Sequence, residues 1–561
     1  MKYLKIIIAI IFVSALGGCD KKLDRLLPNP NNPSPSTASV DLYLNQAQLS
    51  FTGFYTAASD FGGQLTRQQV FFGPLYSNGY SPNSFDGTWT TAYTSIFKNI
   101  NALLPLASQQ KKYIQSGIAR VLKAYVLGTL VDDFGDVPYS QADQGVDELN
   151  PSTDPGATIY NNVITLLDSA IADFSKTGAG ASPTNDLFYG GNKANWIKAA
   201  KTLKLKFYMQ RRLVDNTVTA KIQALETEND LVNTEPQDFV FKYATNNASP
   251  DSRHPHYAAN YTATGSAGDF LGDYMMWMVA AEKTNGSVSS TDPRRRYYFY
   301  RQQTNYANVT STTCPCAFQS IPGHYPSVPD KTPFCLVGAG YWGRDHGDNT
   351  GIPPDGNLRS TWGIYPAGGQ MDESQAATVK LSMGGRGAGI DPIWTSFFTS
   401  FLEAEAALKL GITTAGTPRF LLEKGVRGSI SKVLGYPATV GVTVTASFVP
   451  TQAAIDNYVN NFVLAKYDAA ANDDERLDII MKEYYIALWG NGVEPYNNYR
   501  RTGKPGNMQL TVTTANPGFF IRSFYYPSVY VNRNINAPAQ KAPGTAVNKV
   551  FWDNNPDNFI K

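Results

Sequence analysis

The chain holds 561 residues, 42% of them hydrophobic and 17% charged, with a formal net charge of +2. Residues 1–18 carry Lys2, Lys5 and no acid, so without them 46 basic residues face 46 acidic ones, spread without long runs. That balance excludes a nucleic-acid footprint or an electrostatic membrane surface, and no second apolar stretch or series of ten-residue alternating strands marks a spanning protein.

Residues 1–18 read as a secretory signal peptide: Lys2 and Lys5, an apolar run from Ile6 to Leu16, then Gly17 and Gly18. The apolar run is too short for a stable membrane helix. Because it ends in LGGC, it resembles a bacterial lipobox, which makes Cys19 the acylated first residue and the lipid the only anchor. Residues 19–37 form the lipidated N-terminus and a Pro/Asn/Ser-rich tether with almost nothing to bury.

From residue 38 the pattern is helical. Ile114, Ile118, Val121, Leu122, Tyr125 and Val126 share one face of a helix predicted over Tyr113–Val131, stopped by Gly135 and Pro138. Asn192 is positioned to cap a helix carrying Trp196, Ala200, Leu203 and Phe207. Further helices are expected over Ile393–Leu410, from Pro418, over Thr451–Tyr467 and over Asp473–Trp489. Short connections make these antiparallel pairs, as in stacked helical hairpins. Trp89, Trp196, Trp394 and Trp489 fall in helical patterns and are assigned to core.

The whole of 38–561 reads as one domain, with a helical scaffold at about 38–233 and 390–515. A segment at about 234–389 is loop-rich, its one convincing helix lying near Asp269–Lys283, and the tail 516–561 is loop-rich too. So long an irregular stretch inside a compact domain is usually functional. Tyr341, Trp342, Trp362 and Tyr365 sit there beside Gly or Pro and are candidates for a ligand-binding platform, because stiff rings lose little entropy on binding. Arg344, Asp345 and His346 are the accompanying polar candidates.

The same loop offers Asp345, Asp348, Asn349 and Asp355 as hard oxygen ligands for Ca²⁺, although their spacing fits no EF-hand and these are ordinary turn residues. Cys335 is placed to pair with Cys314 or with Cys316, Cys316–Cys335 being the candidate disulfide; with His324 the three match no zinc spacing. Neither a zincin, a nucleophile-elbow nor a phosphate-loop motif occurs, so no cofactor, metal or catalytic residue is expected. Asp132 with Asp133, and Glu403 with Glu405, read as packing-bound acids, and Arg500 or Arg501 as paired with Glu494 or a nearby acid.

A set of segments in fixed order resembles the SusD/RagB family of nutrient-binding outer-membrane lipoproteins. They are FGDVPYSQA (134–142), WIKAAKTLKLKFYMQRR (196–212), DPRRRYYF (292–299), GRDHGDNTGIPPDG (343–356), GIYPAGGQMD (363–372), FLEAEAALKLG (401–411), IIMKEYYIALWGNGVEPYNNYRRTGKP (479–505) and RSFYYPSVYVNRN (522–534). The last has Val529 and Tyr530 where the family commonly has an acid. The resemblance implies a mainly α fold with four tetratricopeptide-like helix pairs beneath an irregular subdomain. It implies a SusC-type TonB-dependent barrel as partner, oligosaccharide or oligopeptide as ligand, and an outer-membrane site facing the medium. A surface glycan hydrolase and a tetratricopeptide-type adaptor without a small ligand are the alternatives from other classes.

Overall fold

The computed structural model describes residues 39–561 except 143, 178–179, 266–267, 286–287, 290, 305, 307–308, 327–331 and 349–358. The expected signal peptide, Cys19 and tether therefore lie outside the described residues, as do Asn349 and Asp355. Among the described residues no helix is long and apolar enough to cross a membrane.

Helix α1 (Val40–Leu65) buries Leu44, Ala47, Phe51, Phe54, Tyr55 and Ala58, the spacing that puts one stripe against a neighbour. That neighbour is α2, which runs through Asp86–Thr90, a π-helical stretch Thr91–Phe97, and Lys98–Gln109. Helix α3 (Tyr113–Phe134) is buried nearly all round and stops at Gly135, whose φ of 76° suits only a residue without Cβ. It packs along α4 (Gly156–Ser175), and α4 packs along α5 (Lys193–Gln210). The side chain of Asn192 accepts hydrogen bonds from the Ala194 and Asn195 amides, satisfying two otherwise unpaired donors at the start of α5. Helix α6 (Val218–Glu228) folds back on α5.

The chain then forms β1 (Phe239–Lys242), leaves for the loop-rich segment, and returns as β4 (Ile390–Trp394). Between them come α7 (Asp273–Ala280), β2 (Phe299–Arg301) and β3 (Ser360–Trp362), β2 and β3 being antiparallel partners. Strands β1 and β4 pair antiparallel, with Lys242 opposite Ile390. This ladder clamps the two ends of the inserted segment side by side, so its loops project from one place on the scaffold. It also corrects two expectations. Ile393 and Trp394 belong to β4 and the following helix begins at Ser396, and the helix expected over Asp269–Lys283 is only Asp273–Ala280. A short apolar run such as IDPIW satisfies strand and helix patterns alike.

Helix α8 (Ser396–Leu410) pairs with α9 (Pro418–Thr439). Helix α10, made of Gln452–Asp456, a π-helical stretch Asn457–Leu464 and Ala465–Ala469, precedes α11 (Asp473–Ala487), which packs on α8 and α9. Helix α12 (Val493–Thr502) crosses α1 and joins the two ends of the array. Sequence neighbours thus pair as α1 with α2, α3 with α4, α5 with α6 and α8 with α9, the mainly α, tetratricopeptide-like plan. Trp89, Trp196, Trp394 and Trp489 are all buried in its core.

Buried charges fasten the array. Glu405 on α8 meets Arg501 on α12 at 2.6 Å and Arg212, just beyond α5, at 2.8 Å. Glu494 pairs with Lys206 at 2.8 Å, so neither arginine of the Arg500–Arg501 pair uses it. Arg500 instead donates to the carbonyls of Asp132 and Arg522. Asp132 receives hydrogen bonds from Tyr160, Trp552 and Asn497, which explains an acid at the C-terminal end of α3.

Candidate functional site

The inserted segment has a small core of its own. Tyr257, Tyr261, Tyr300 and Val379 form one cluster, and Cys314, Cys335 and Trp342 another. Of the rings expected to form a platform, Trp342 joins the second cluster, while Tyr341, Trp362 and Tyr365 pack into the main core of the scaffold. Tyr341, Trp342, Trp362 and Tyr365 expose at most 2% of their surface. Trp362 stacks between His256, at 4.0 Å, and Trp489, at 4.3 Å, and Tyr341 lies under the guanidinium of Arg301. An open platform of these four rings is therefore not what the structure presents. Arg344, Asp345 and His346 are buried as well.

His256 is the charged member of the stack. Burial alone would push its proton off, but Asp60 and Asp269, at 3.2 and 2.5 Å, outweigh that and hold it up at about 10. Its folded-state value lies above the unfolded one, so its contribution to stability is full below about pH 6.5 and fades as pH rises through about 10. Nitrogen-detected NMR at pH 8 is accordingly expected to show a doubly protonated His256 ring; a neutral ring at that pH would contradict this placement.

The sequence Gly343–Asp348 threads through the middle of the loop face. Its backbone is held by Leu271, Asp273 and Phe71: Arg344 N–H donates to Leu271 O at 2.9 Å, Asp273 N–H to Arg344 O at 2.9 Å, and Gly347 N–H to Phe71 O at 2.9 Å. A methyl group at Gly343 would lie 2.1 Å from Leu271 O, so only glycine permits this approach. Asp345 accepts from Cys335 N–H at 2.8 Å and from the Gln509 side chain at 2.7 Å. Burial still raises its pKa to about 7. His346 shares a hydrogen bond with Tyr76 at 3.1 Å and stacks on Phe71; burial, with Arg67 nearby, keeps it neutral.

Two recesses each take part of their lining from the Leu510–Thr513 stretch, Leu510 and Thr511 in one and Val512 and Thr513 in the other. The larger, of about 520 Å³, is walled by Tyr76, Thr511, Pro517, Phe519, Phe520, Thr545, Asp557, Asn558 and Lys561. The smaller, of about 180 Å³, is lined by Asp273, Cys316, Gln319, Phe334, Trp342, Arg344, Asp345, Asp348, Val512 and Thr513. Three of the seven expected binding residues, Trp342, Arg344 and Asp345, thus meet in the smaller one; Tyr341, His346, Trp362 and Tyr365 line neither. Phe519 in the wall of the larger recess is 37% exposed, and Phe318 and Ile321, in the segment that contributes Pro315, Cys316 and Gln319 to the smaller one, are 62% and 57% exposed. The segment 315–325 is moored beside the two recesses, because His324 and Tyr325 bond to the carbonyls of Thr511 and Leu510.

Of the calcium candidates, Asp345 and Asp348 do come together on the smaller recess, with Asp348 paired to Arg344 at 2.9 Å. A third acid, Asp273, was not singled out from sequence; as the first residue of α7 it looks like an ordinary helix-start acid. Cys316 is joined to Cys335 in a disulfide, and the Cys314 sulfur stands 3.6 Å from Cys335 and 3.7 Å from Cys316. Among the described residues these three cysteines are the only group of His, Cys, Asp or Glu ligand atoms within 4.8 Å of one another, and with Cys316 and Cys335 consumed in the disulfide they offer no three-thiolate site.

Comparison with known proteins agrees with this architecture. Residues 30–317 match a family described as starch-binding and associating with the outer membrane, and residues 393–549 match the family described as SusD and RagB outer membrane lipoproteins. Among solved structures, a SusD/RagB family protein of Bacteroides thetaiotaomicron superposes with a TM-score of 0.64 at 20% identity, covering 92% of this chain and 100% of that one. A SusD homologue from Bacteroides fragilis gives 0.62 at 17% identity, over 92% and 99%. A chitin-binding SusD homologue from Flavobacterium johnsoniae gives 0.60 at 18%, again over 92% and 99%. No curated protein matches the sequence.

Proposed function

Because the chain belongs to the SusD/RagB family of outer-membrane lipoproteins, we propose that it is a non-catalytic, lipid-anchored capture protein for oligosaccharide at the cell surface. It delivers the ligand to a SusC-type TonB-dependent barrel, over which it sits as a lid. The observation that carries the reading is the loop face: a cleft of about 520 Å³ with Tyr76, Phe519 and Phe520 in its wall and polar groups between them, raised on a family scaffold. Its size lies within the range of pockets that take small ligands, roughly 300–1,000 Å³. A chitin-binding homologue of the same fold supports glycan over peptide. A binding role also suits the acids near the recesses, since Asp345 is engaged by Cys335 and Gln509, and Asp348 by Arg344.

In this mechanism a sugar ring stacks on Phe519, the exposed ring of the wall, Tyr76 and Phe520 being buried behind it, while backbone and amide groups of the 510–520 and 544–545 loops direct the hydroxyls. Phe519 is half-exposed and holds no fold-critical contact, so Phe519→Ala is expected to leave the melting temperature in place. A stacking ring contributes about 0.5–1.5 kcal/mol beyond its area, so glycan affinity should fall by roughly three- to tenfold. Titration calorimetry against a panel of oligosaccharides reads this; unchanged affinity in the variant would remove the cleft from the binding site. Co-purification of a barrel with the detergent-solubilised lipoprotein checks the partner, and its absence from membranes that hold the intact chain would argue for the free adaptor.

A further inference from the structure

We propose that Cys314, Cys316 and Cys335 form a thiol–disulfide switch on the loop face: the crosslink passes from Cys316 to Cys314 and leaves a thiol on the wall of the smaller recess as a site of covalent modification. The disulfide joins Cys316 to Cys335, and the third cysteine, Cys314, keeps its thiol. The Cys314 sulfur stands 3.6 Å from that of Cys335 and 3.7 Å from that of Cys316, in van der Waals contact with both ends of the bond. Cys335 is the fixed member. Its N–H is held by Asp345 at 2.8 Å, and with Cys314 and Trp342 it belongs to a small core of the inserted segment. Cys314 and Cys335 are buried, whereas Cys316 is half-buried and lines the smaller recess.

The exchange balances without an oxidant or a reductant. The Cys314 thiolate attacks the Cys335 sulfur, and the Cys314–Cys335 bond forms as the Cys316–Cys335 bond breaks. The departing Cys316 thiolate then takes up the proton that Cys314 gave up. Near-equal distances to the two sulfurs put Cys314 to the side of the bond, whereas displacement at sulfur needs the attacker in line with the leaving group. The Cys314 side chain must therefore turn, and a buried thiol yields little thiolate, so the step is slow and follows loosening of the short helical turn Pro315–Phe318. The two pairings are closely matched. One spans 19 residues of chain and the other 21, a difference that hardly changes the entropy of loop closure. Joining Cys314 to Cys316 is a poor third pairing, since Pro315 alone separates them and Cys335 would be left out. What changes in the exchange is which sulfur meets solvent: the thiol lies in the core before it and on the recess after it. A low-molecular-weight disulfide entering there reacts with the Cys316 thiolate, forming a mixed disulfide on Cys316 and releasing its other half as a thiolate. The recess, of about 180 Å³, has room for such a small group beside Trp342 and Phe334.

The test is alkylation of the folded full chain, purified without reductant, by N-ethylmaleimide, followed by acid quenching and disulfide mapping by mass spectrometry. Over hours, the timescale of uncatalysed disulfide rearrangement, the label is expected on Cys316 together with a Cys314–Cys335 crosslink. Cys314→Ser should abolish that label and keep Cys316–Cys335 intact, and cystine in place of the maleimide should add one half-cystine to Cys316 of the wild-type chain. Cys316→Ser should pair Cys314 with Cys335. Label that reaches Cys314 alone, or that appears only once the chain is unfolded, overturns the switch; so does a Cys316→Ser chain in which Cys314 and Cys335 both stay reduced. Should either serine variant fail to fold, the position of the label on the wild-type chain decides by itself.

Discussion

Replacing Glu405 by Gln is expected to lower the unfolding free energy by about 3–5 kcal/mol, the range for breaking one side of a buried ion pair. Glu405 is fully buried on α8 and answers two arginines from different parts of the chain, Arg501 and Arg212. With the carboxylate gone, Arg501 keeps Gln210 and Asn498 as partners, but its charge is uncompensated inside the protein. The pH dependence has a definite sign. Burial alone would raise the Glu405 pKa, yet Arg501 and Arg212 outweigh it and bring the group down to about 2 from 4.5. Its contribution is therefore complete above about pH 4.5 and lost as pH falls toward 2. Urea unfolding at pH 7 and pH 3 should show the wild-type chain losing stability that the variant lacks at both values. A change below about 1 kcal/mol at pH 7 would mean that α5, α8 and α12 are not held together at this point.

The second large effect concerns Gly492, in the turn before α12. A methyl group there would lie 1.8 Å from Ser59 O and 2.4 Å from Gly63 N, both backbone atoms of α1. The contact is reciprocal, since a methyl at Gly62 would meet Gly492 O at 2.1 Å. No rotamer change can relieve a clash between two main chains, so Gly492→Ala must shift α12 against α1. Overpacking typically costs about 1–3 kcal/mol and sometimes more; a backbone-on-backbone case belongs at or above the upper end. Thermal denaturation should show a melting point lowered by several degrees. A melting point equal to the wild type would show that the crossing is looser than drawn.

The helix Tyr113–Phe134 was legible in the sequence because Ile114, Ile118, Val121, Leu122, Tyr125 and Val126 recur at helical spacing, although it proves buried nearly all round, and the helix Lys193–Gln210 because Asn192 carries its own capping chemistry. The family resemblance was legible through ordered segments rather than through any single one. Other features depend on long-range geometry that local patterns do not encode. The β1–β4 ladder joins residues some 150 positions apart, and Glu405 meets Arg501 across 96 positions. The aromatics of 341–365 misled for a physical reason: Gly- and Pro-rich context reads as exposed loop, yet a long insertion must bury rings to hold itself up. Asp273 stood unremarked because its raised pKa comes from burial first and from Asp345 second, both set by long-range packing such as the Gly272–Arg344 bridge.

A fluorescently labelled oligosaccharide series, incubated with the purified full chain and then resolved by size, addresses capture without chemistry. Retention of labelled oligosaccharide on the protein, with every chain recovered at its original length, is the result this structure leads us to expect. Shortened products, or no retention of any glycan, would show that the loop face is either a hydrolytic site or not a sugar site at all.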